Sequence, residues 1–357
     1  MKRRSYPFVT NKMLRHEALF YKPTGDDGKV QCFLCPHRCT ITPGKLGLCG
    51  ARQNIDGKLW SLIYGRVSSF CADPVEKKPL YHFYPGSAVY SIGSLGCNMR
   101  CGDCQNWQIA HATADKPSER TKELSPEQLV DLAKKSDCQG VAWTYNEPTI
   151  WMEYAIDGAK LAKEAGLYTV FVTNGYVEPE ALDAIGPYLD AYRVDFKGRF
   201  EGSRFYKEVA KIKDPSPILD ATIRAKDKWN MHVEVITNVV PGYNDGPDEL
   251  KEIAGTVKER LGADTPWHVT RFHPYLDLSH LSPTPIDKLE EAWKIGRDVG
   301  LNYVYVGNVE GHLAGNTYCG NCAQLIIERS GYYVNIVGIE DGECRFCEQP
   351  VPIIGNF

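Results

Sequence analysis

Seven short apolar runs, separated by stretches with helical periodicity, span residues 88 to 308, and this alternation restricts the fold more than any other feature of the chain. The runs are AVYSIG (88–93), GVAWTY (140–145), YTVFVT (168–173), AYRVDF (191–196), HVEVIT (232–237), WHVTRF (267–272) and YVYVGN (303–308). Strand-length runs alternating with amphipathic stretches are the signature of βα units. Ser125-Pro126-Glu127-Gln128 supplies an N-cap, a proline at the first helical position and a capping-box glutamine, and Leu129, Leu132 and Ala133 follow on one face. Further helices are predicted over 149–165, 247–261 and 285–299, closed by Gly166, Gly262 and Gly300. Six or seven consecutive units favour an α/β fold with a parallel barrel, complete or partly open, over a doubly wound sheet.

The flanks differ. Residues 1–85 are rich in Gly, Pro and aromatics with little helical period, and 311–357 hold two C-x-x-C pairs around a hairpin pattern. The reading is therefore a Cys-rich N-terminal extension (1–85), a barrel (86–310) and a C-terminal zinc-ribbon-like module (311–357). A net charge of −4 gives no argument for nucleic acid or an acidic membrane. No apolar run approaches the roughly 20 residues of a membrane helix, and the basic start lacks the apolar segment of a signal peptide. The expectation is a cytoplasmic protein with neither nucleic acid nor membrane as partner.

In a reducing compartment, thirteen cysteines point to metal or redox chemistry before structural disulfides. Eleven fall into three groups: Cys32, Cys35, Cys39 and Cys49; Cys97, Cys101 and Cys104; Cys319, Cys322, Cys344 and Cys347. Cys71 and Cys138 stand apart and are expected to be small buried apolar residues. The middle group, in GSLGCNMRCGDCQNW, lies on the loop after the first barrel strand, on the face where such barrels place active sites. A four-iron cluster usually takes four cysteines; three leave one iron open to a ligand that is not protein. A zinc ion with a distant fourth ligand, or unligated thiols, are the competing readings.

C-x-x-x-C-x-x-C at the mouth of a partial (β/α) barrel resembles the radical S-adenosylmethionine (SAM) enzymes. The following CQNW is similar to the glycyl-radical activases, and CPHRC, PVEKKPLYHFYPGS, YNEPT, RFHP and YVGN resemble the radical SAM member of the AmmeMemoRadiSam group. The resemblance implies a partial barrel of about six βα units and a 4Fe-4S cluster on Cys97, Cys101 and Cys104 whose open iron binds SAM. Reduction then yields methionine and a 5′-deoxyadenosyl radical that abstracts hydrogen. It also implies a protein or peptide substrate and a flavodoxin- or ferredoxin-type reductant.

By the same resemblance, Asn146 and Glu147 occupy the place of a Gly-Gly-Glu-like element that meets the methionine amino group. Thr173 and Asn174 match an Asp-Thr-Asn-Gly element in which Val172 replaces Asp. Asp195 and Lys197 match Asp-Leu-Lys, and His273 is placed to reach the ribose. Each such residue also has an ordinary reading, since polar groups at strand ends cap helices and satisfy turns. Asp103 departs from the pattern, because an aromatic residue is usual there.

Cys319-x-x-Cys322 and Cys344-x-x-Cys347, 21 residues apart around Ser330-Gly331, read as a zinc ribbon. Cys32, Cys35, Cys39 and Cys49 would bind zinc or an auxiliary iron–sulfur cluster, zinc being the first expectation and His37 a substitute ligand. Glu310 to Gly315 approximates the D-x-H-x-x-G element of cobalamin-binding domains, although too few residues follow for that domain. Three functions follow in order: an activase-like radical enzyme acting at a carbon, most simply a Cα; a cobalamin-dependent radical methyltransferase; a non-enzymatic metal-stabilised scaffold or electron carrier.

Overall fold

The computed structural model describes residues 15–116, 121–355 and 357. Its centre is an eight-stranded sheet: β1 (Ser69–Pro74), β2 (Ala88–Gly93), β3 (Gly140–Trp143), β4 (Tyr168–Thr173), β5 (Ala191–Asp195), β6 (His232–Val239), β7 (Trp267–Arg271) and β8 (Val304–Gly307). The strands lie side by side in chain order. β2 to β8 are parallel, while β1 runs antiparallel to β2. The end strands β1 and β8 are not neighbours in the sheet order, so the barrel is partial and open along one side.

Six helices cross between the parallel strands: α1 (Pro126–Lys135), α2 (Met152–Glu164), α3 (Pro179–Ile185), α4 (Ser216–Asp227), α5 (Pro247–Leu261) and α6 (Ile286–Val299). The Ser125 capping box forms as its sequence requires, with the Gln128 amide donating to Ser125 Oγ at 3.3 Å and the Ser125 amide donating to Gln128 Oε1 at 2.9 Å. Gly262 and Gly300, with φ of 97° and 100°, terminate α5 and α6. Successive strand residues face opposite sides. Trp143, Phe171, Val194, Val235 and Trp267 join the core beneath the helices, whereas Val89, Ala142, Val170 and Ala191 pack inside with Val75, Leu80 and Phe83. Because the parallel strands end on one rim, their following loops share one mouth.

The sheet reaches across the expected boundary at residue 85, since β1 comes from the N-terminal extension. Its Ser69-Phe70-Cys71-Ala72-Asp73-Pro74 sequence carries little apolar alternation because the strand lies at an edge. Cys71, expected to be buried, is exposed on that edge, while Cys138 is buried. The rest of the extension forms two small antiparallel sheets and, through Arg66–Val67, a two-stranded pairing with Lys122–Glu123. The C-terminal module is a three-stranded sheet (317–318, 325–330, 333–336) plus a short hairpin, with the turn at Gly331. No described helix is long and apolar enough to cross a membrane.

A buried polar network joins this module to the barrel floor. The Glu234 carboxylate accepts from the backbone amides of Tyr81 and His82, each at 2.8 Å, from His232 Nε2 at 3.0 Å and from His268 Nε2 at 2.6 Å. Burial opposes its charge, but these donors hold its pKa well below the ordinary range. His82 Nδ1 donates to Pro352 O at 3.0 Å, and its Nε2 accepts from the Tyr305 hydroxyl at 2.6 Å, an arrangement that needs a neutral ring. Arg329 ties Thr317 Oγ1 to Tyr81 O.

Burial lowers the His82 pKa from 6.5 to about 3. The unfolded chain therefore binds the extra proton between those values, and stability present above pH 6.5 is lost as pH falls toward 3. The slope from this residue is about 1.4 kcal/mol per pH unit. Thermal unfolding from pH 7.5 to 5 should show a falling midpoint, with the slope reduced in His82→Asn; an equal slope in both proteins would contradict this assignment.

Candidate active site

The loop after β2 is fixed from three directions. Asn146, just beyond β3, clamps its start: Oδ1 accepts from the Ser94 amide and Nδ2 donates to Gly96 O, both at 2.9 Å. Ser94 Oγ donates to Arg66 O at 2.5 Å. Arg100 Nη1 donates to Cys97 O at 3.2 Å and Ala110 O at 3.0 Å, while Nη2 reaches Leu48 O at 2.6 Å. Gly96 has φ of +88°, and a Cβ there would lie 2.4 Å from Cys49 O, so no larger residue fits.

This framework presents Cys97, Cys101 and Cys104 within the barrel rim. Burial pushes Cys97 well above the usual thiol range, Cys101 to about 12 and Cys104 to about 11, so metal must displace protons to bind them. The Met99 amide donates to Cys97 Sγ at 3.4 Å, and Asn174 Nδ2 lies 3.7 Å from the same sulfur. Such N–H donors favour a ligating thiolate and tune an iron–sulfur centre. The three sulfurs do not meet within the 4.8 Å span that one ion would require. Three soft donors with that spread fit a cluster of metal and sulfide better than a single ion.

The strand-end residues surround the loop. Glu147 is buried, and its carboxylate accepts from Thr173 Oγ1 at 2.6 Å, the Thr149 amide at 3.0 Å and the Asn174 amide at 2.8 Å. Burial raises its pKa against these donors. Three of about four acceptor positions are thus filled by protein. Asn174 Nδ2 also donates to Asn98 Oδ1 at 2.8 Å, and its own Oδ1 accepts from the Tyr176 amide at 2.9 Å. Asn146 and Asn174 therefore brace the cysteine loop, and Thr173 holds Glu147 beside it, through contacts that their strand-end positions alone did not reveal.

Across the mouth, Asp195 pairs with Arg193 and with Lys197 Nζ, the latter at 2.8 Å. Burial works against the Lys197 charge, but Asp195, Cys101 and Asp103 outweigh it and raise its pKa well above the ordinary lysine range. Asp103 is itself buried beside Lys197 and Asn238, and burial raises its pKa. The residue that departed from the motif therefore belongs to the same charged group as Asp195 and Lys197. Asn98, Arg100 and Asn238 are the additions that sequence reading did not nominate. Asn98 and Arg100 sat unmarked between the cysteines, and Asn238 lay one residue past a strand run. His273 lies two residues beyond β7, half-buried, and among the described residues hydrogen-bonds to none of this group.

Replacing Lys197 with Met removes the one cation shared by Cys101, Asp103 and Asp195 while keeping an unbranched side chain only one atom shorter. Loss of such a supporting group typically costs about 10–100-fold in activity or metal affinity. SAM turnover should fall by that factor with iron content unchanged, and the pH profile should shift; activity and profile matching the parent would remove Lys197 from the site.

At the C-terminus, Cys319 and Cys347 sulfurs lie 3.7 Å apart, as do those of Cys322 and Cys344. A tetrahedron with Zn–S of about 2.3 Å has sulfur–sulfur edges of about 3.8 Å. Among the described residues, these four are the only group of three or more candidate ligands gathered within 4.8 Å. They fit one zinc-like ion. Cys32, Cys35, Cys39 and Cys49 line a common pocket with His37 but are spread more widely. His37 Nε2 donates to Asn98 O at 2.7 Å, which occupies the nitrogen facing the loop. In the Glu310–Gly315 segment, His312 Nδ1 accepts from the Ala314 amide at 3.1 Å, and the chain continues into the ribbon without the fold of a cobalamin domain.

Comparison with known proteins follows the same lines. The chain is 43% identical over 340 residues to an uncharacterized protein of Methanocaldococcus jannaschii, covering 95% of this chain and 99% of the other. A provisionally named glycyl-radical enzyme activating enzyme of the same organism is 29% identical over 182 residues, 49% of this chain and 71% of its own. A solved domain of pyruvate-formate lyase-activating enzyme from Bacteroides vulgatus is 19% identical with a TM-score of 0.39, covering 47% of this chain and 99% of that domain. Residues 91–257, from within β2 to within α5, match the radical SAM superfamily. With the cysteine loop at the mouth of an open parallel barrel, the chain belongs to the radical SAM superfamily.

Proposed function

We propose that this chain is an activase-like radical enzyme that takes hydrogen from a carbon, most simply a Cα, of a protein or peptide, with a flavodoxin- or ferredoxin-type protein as electron donor. The observation that carries the reading is the braced three-thiol loop facing the Asp103–Asp195–Lys197 group across the barrel mouth. A 4Fe-4S cluster on Cys97, Cys101 and Cys104 would supply reductive SAM cleavage to methionine and a 5′-deoxyadenosyl radical.

The chain's own residues have separable tasks. Asn146, Arg100 and Gly96 fix the loop, and Asn174 with the Met99 amide directs N–H groups at Cys97. Glu147 holds the ends of β3 and β4 together and retains one acceptor position for an ammonium group. Lys197 and the two aspartates supply a polar wall on the opposite side, where SAM carboxylate and hydroxyl groups would find a cation and acceptors. Burial of Cys101 and Asp103 at the mouth limits water beside the cluster, which protects a carbon radical. The likeness to a relative named as an activating enzyme supports a protein or peptide substrate.

The test is anaerobic incubation of the iron-loaded protein with SAM and reductant, alone and with candidate proteins from its own cell extract. 5′-Deoxyadenosine formation with a new radical or altered residue in a captured protein supports the reading. S-adenosylhomocysteine with a methylated product would replace it with methyl transfer, and no SAM product would remove it.

A further inference from the structure

We propose that Cys32, Cys35, Cys39 and Cys49 hold a second iron–sulfur cluster directly behind the first, with the Arg52 Nε–H as a donor to its sulfur. The first argument is a contrast within one molecule. The C-terminal four sulfurs converge to the spacing of a single tetrahedral ion, whereas the N-terminal four ring one pocket without any three of them coming within 4.8 Å. A zinc ion would draw four thiolates as close as the ribbon's. Metal and bridging sulfide between the thiolates hold them further apart. The sulfurs share this pocket with the apolar side chains of Leu34, Ile41, Leu48 and Ile150.

The second argument is a buried donor without a partner. Arg52 is 1% exposed and lines the same pocket. Its Nη1 donates to Leu19 O at 2.7 Å and its Nη2 pairs with Glu153, but Nε has no hydrogen-bond partner. A buried guanidinium N–H left unpaired is costly. Sulfur of a negatively charged cluster is a suitable acceptor, and N–H···S bonding raises a cluster's reduction potential.

Position supplies the third. The Cys49 carbonyl packs against Gly96, the residue before Cys97, and Arg100 of the active-site loop binds Leu48 O. His37 binds Asn98 O, which is flanked by Cys97 and Met99. The two cysteine sets share a seam of backbone contacts, so an electron on one cluster has a short protein path to the other. This coupling rests on the function proposed above, whereas the identity of the N-terminal metal does not.

The experiment separates them. In the full chain carrying Cys97→Ala, Cys101→Ala and Cys104→Ala, anaerobic reconstitution with iron and sulfide should leave about four iron and four sulfide per chain, with one zinc in the ribbon. Two zinc and no iron would overturn the proposal. The complementary variant, Cys35→Ala with Cys39→Ala, should keep the active-site iron and lower the total from about eight to about four; an unchanged total would also overturn it. In the triple variant, Arg52→Lys should move the cluster's midpoint potential to a more negative value, and no shift would remove Arg52 from the site. Reduced protein with both clusters should show an EPR spectrum broadened by their interaction. A simple sum of the two single-cluster spectra would overturn the shared seam. If wild-type protein fails to cleave SAM yet the triple variant still holds its iron, the function fails and this site stands.

Discussion

Cys104→Ala should reduce reductive SAM cleavage at least about a thousandfold, equivalent to about 4 kcal/mol of barrier, while the barrel remains folded. The loop's position depends little on this thiol. Asn146, Ser94 and Arg100 hold the loop through its backbone, and Gly96 packs on Cys49 whatever the metal content. Two remaining thiols cannot hold the cluster that three present, so the defect should be chemical and not conformational. Circular dichroism and thermal unfolding of the unloaded protein should match the parent, with 5′-deoxyadenosine lost. Cleavage within tenfold of the parent would show that the fourth-position logic of this loop is wrong.

The second large effect lies at the far end. Cys344 is buried between two C-x-x-C knuckles, and its sulfur lies 3.7 Å from that of Cys322. Structural zinc contributes roughly 10–16 kcal/mol to forming such a module. Around it Ile326, Ile327, Val351 and Ile353, with Val334 and Ile339 partly buried against them, form a separate small core, too little to fold alone. Cys344→Ala should therefore release zinc and unfold the ribbon. Because Arg329, Thr317 and Ile354 tie that module to Tyr81, Tyr305 and His82, the barrel floor should loosen with it. The expected readout is zinc loss together with a lower midpoint and new protease cleavage between about residues 311 and 340. A parent-like midpoint in zinc-free protein would show that the ribbon is an accessory to the fold.

The parts of this structure that were legible in the sequence are those encoded locally. Ser125 with Gln128 announces α1, Gly262 and Gly300 announce the ends of α5 and α6, and seven apolar runs announce seven parallel strands. Two helices were missed because their starts look like loops. Asp214-Pro215-Ser216-Pro217 precedes and opens α4, where proline is tolerated among the first residues, and α3 is only seven residues long. β1 was missed because an exposed antiparallel edge strand need not alternate.

For the site, cysteine spacing nominated the three ligands, but the supporting contacts span long intervals. Asp103 lies more than ninety residues from Lys197, and Arg100 reaches back to Leu48 across fifty-two. Glu147 was nominated for a ligand's ammonium, yet most of its acceptor capacity serves Thr173, Thr149 and Asn174. A side chain's donors and acceptors can be counted from sequence; which neighbours use them is set by the tertiary fold.

The measurement that bears most directly on the whole account is product analysis after anaerobic iron–sulfur loading, with SAM and a one-electron reductant. Methionine and 5′-deoxyadenosine should form in equal amounts in wild type and vanish in Cys97→Ala, Cys101→Ala and Cys104→Ala alike. An iron-loaded wild-type protein that leaves SAM intact, or a cysteine variant that still cleaves it, would contradict the assignment of this loop as the catalytic centre.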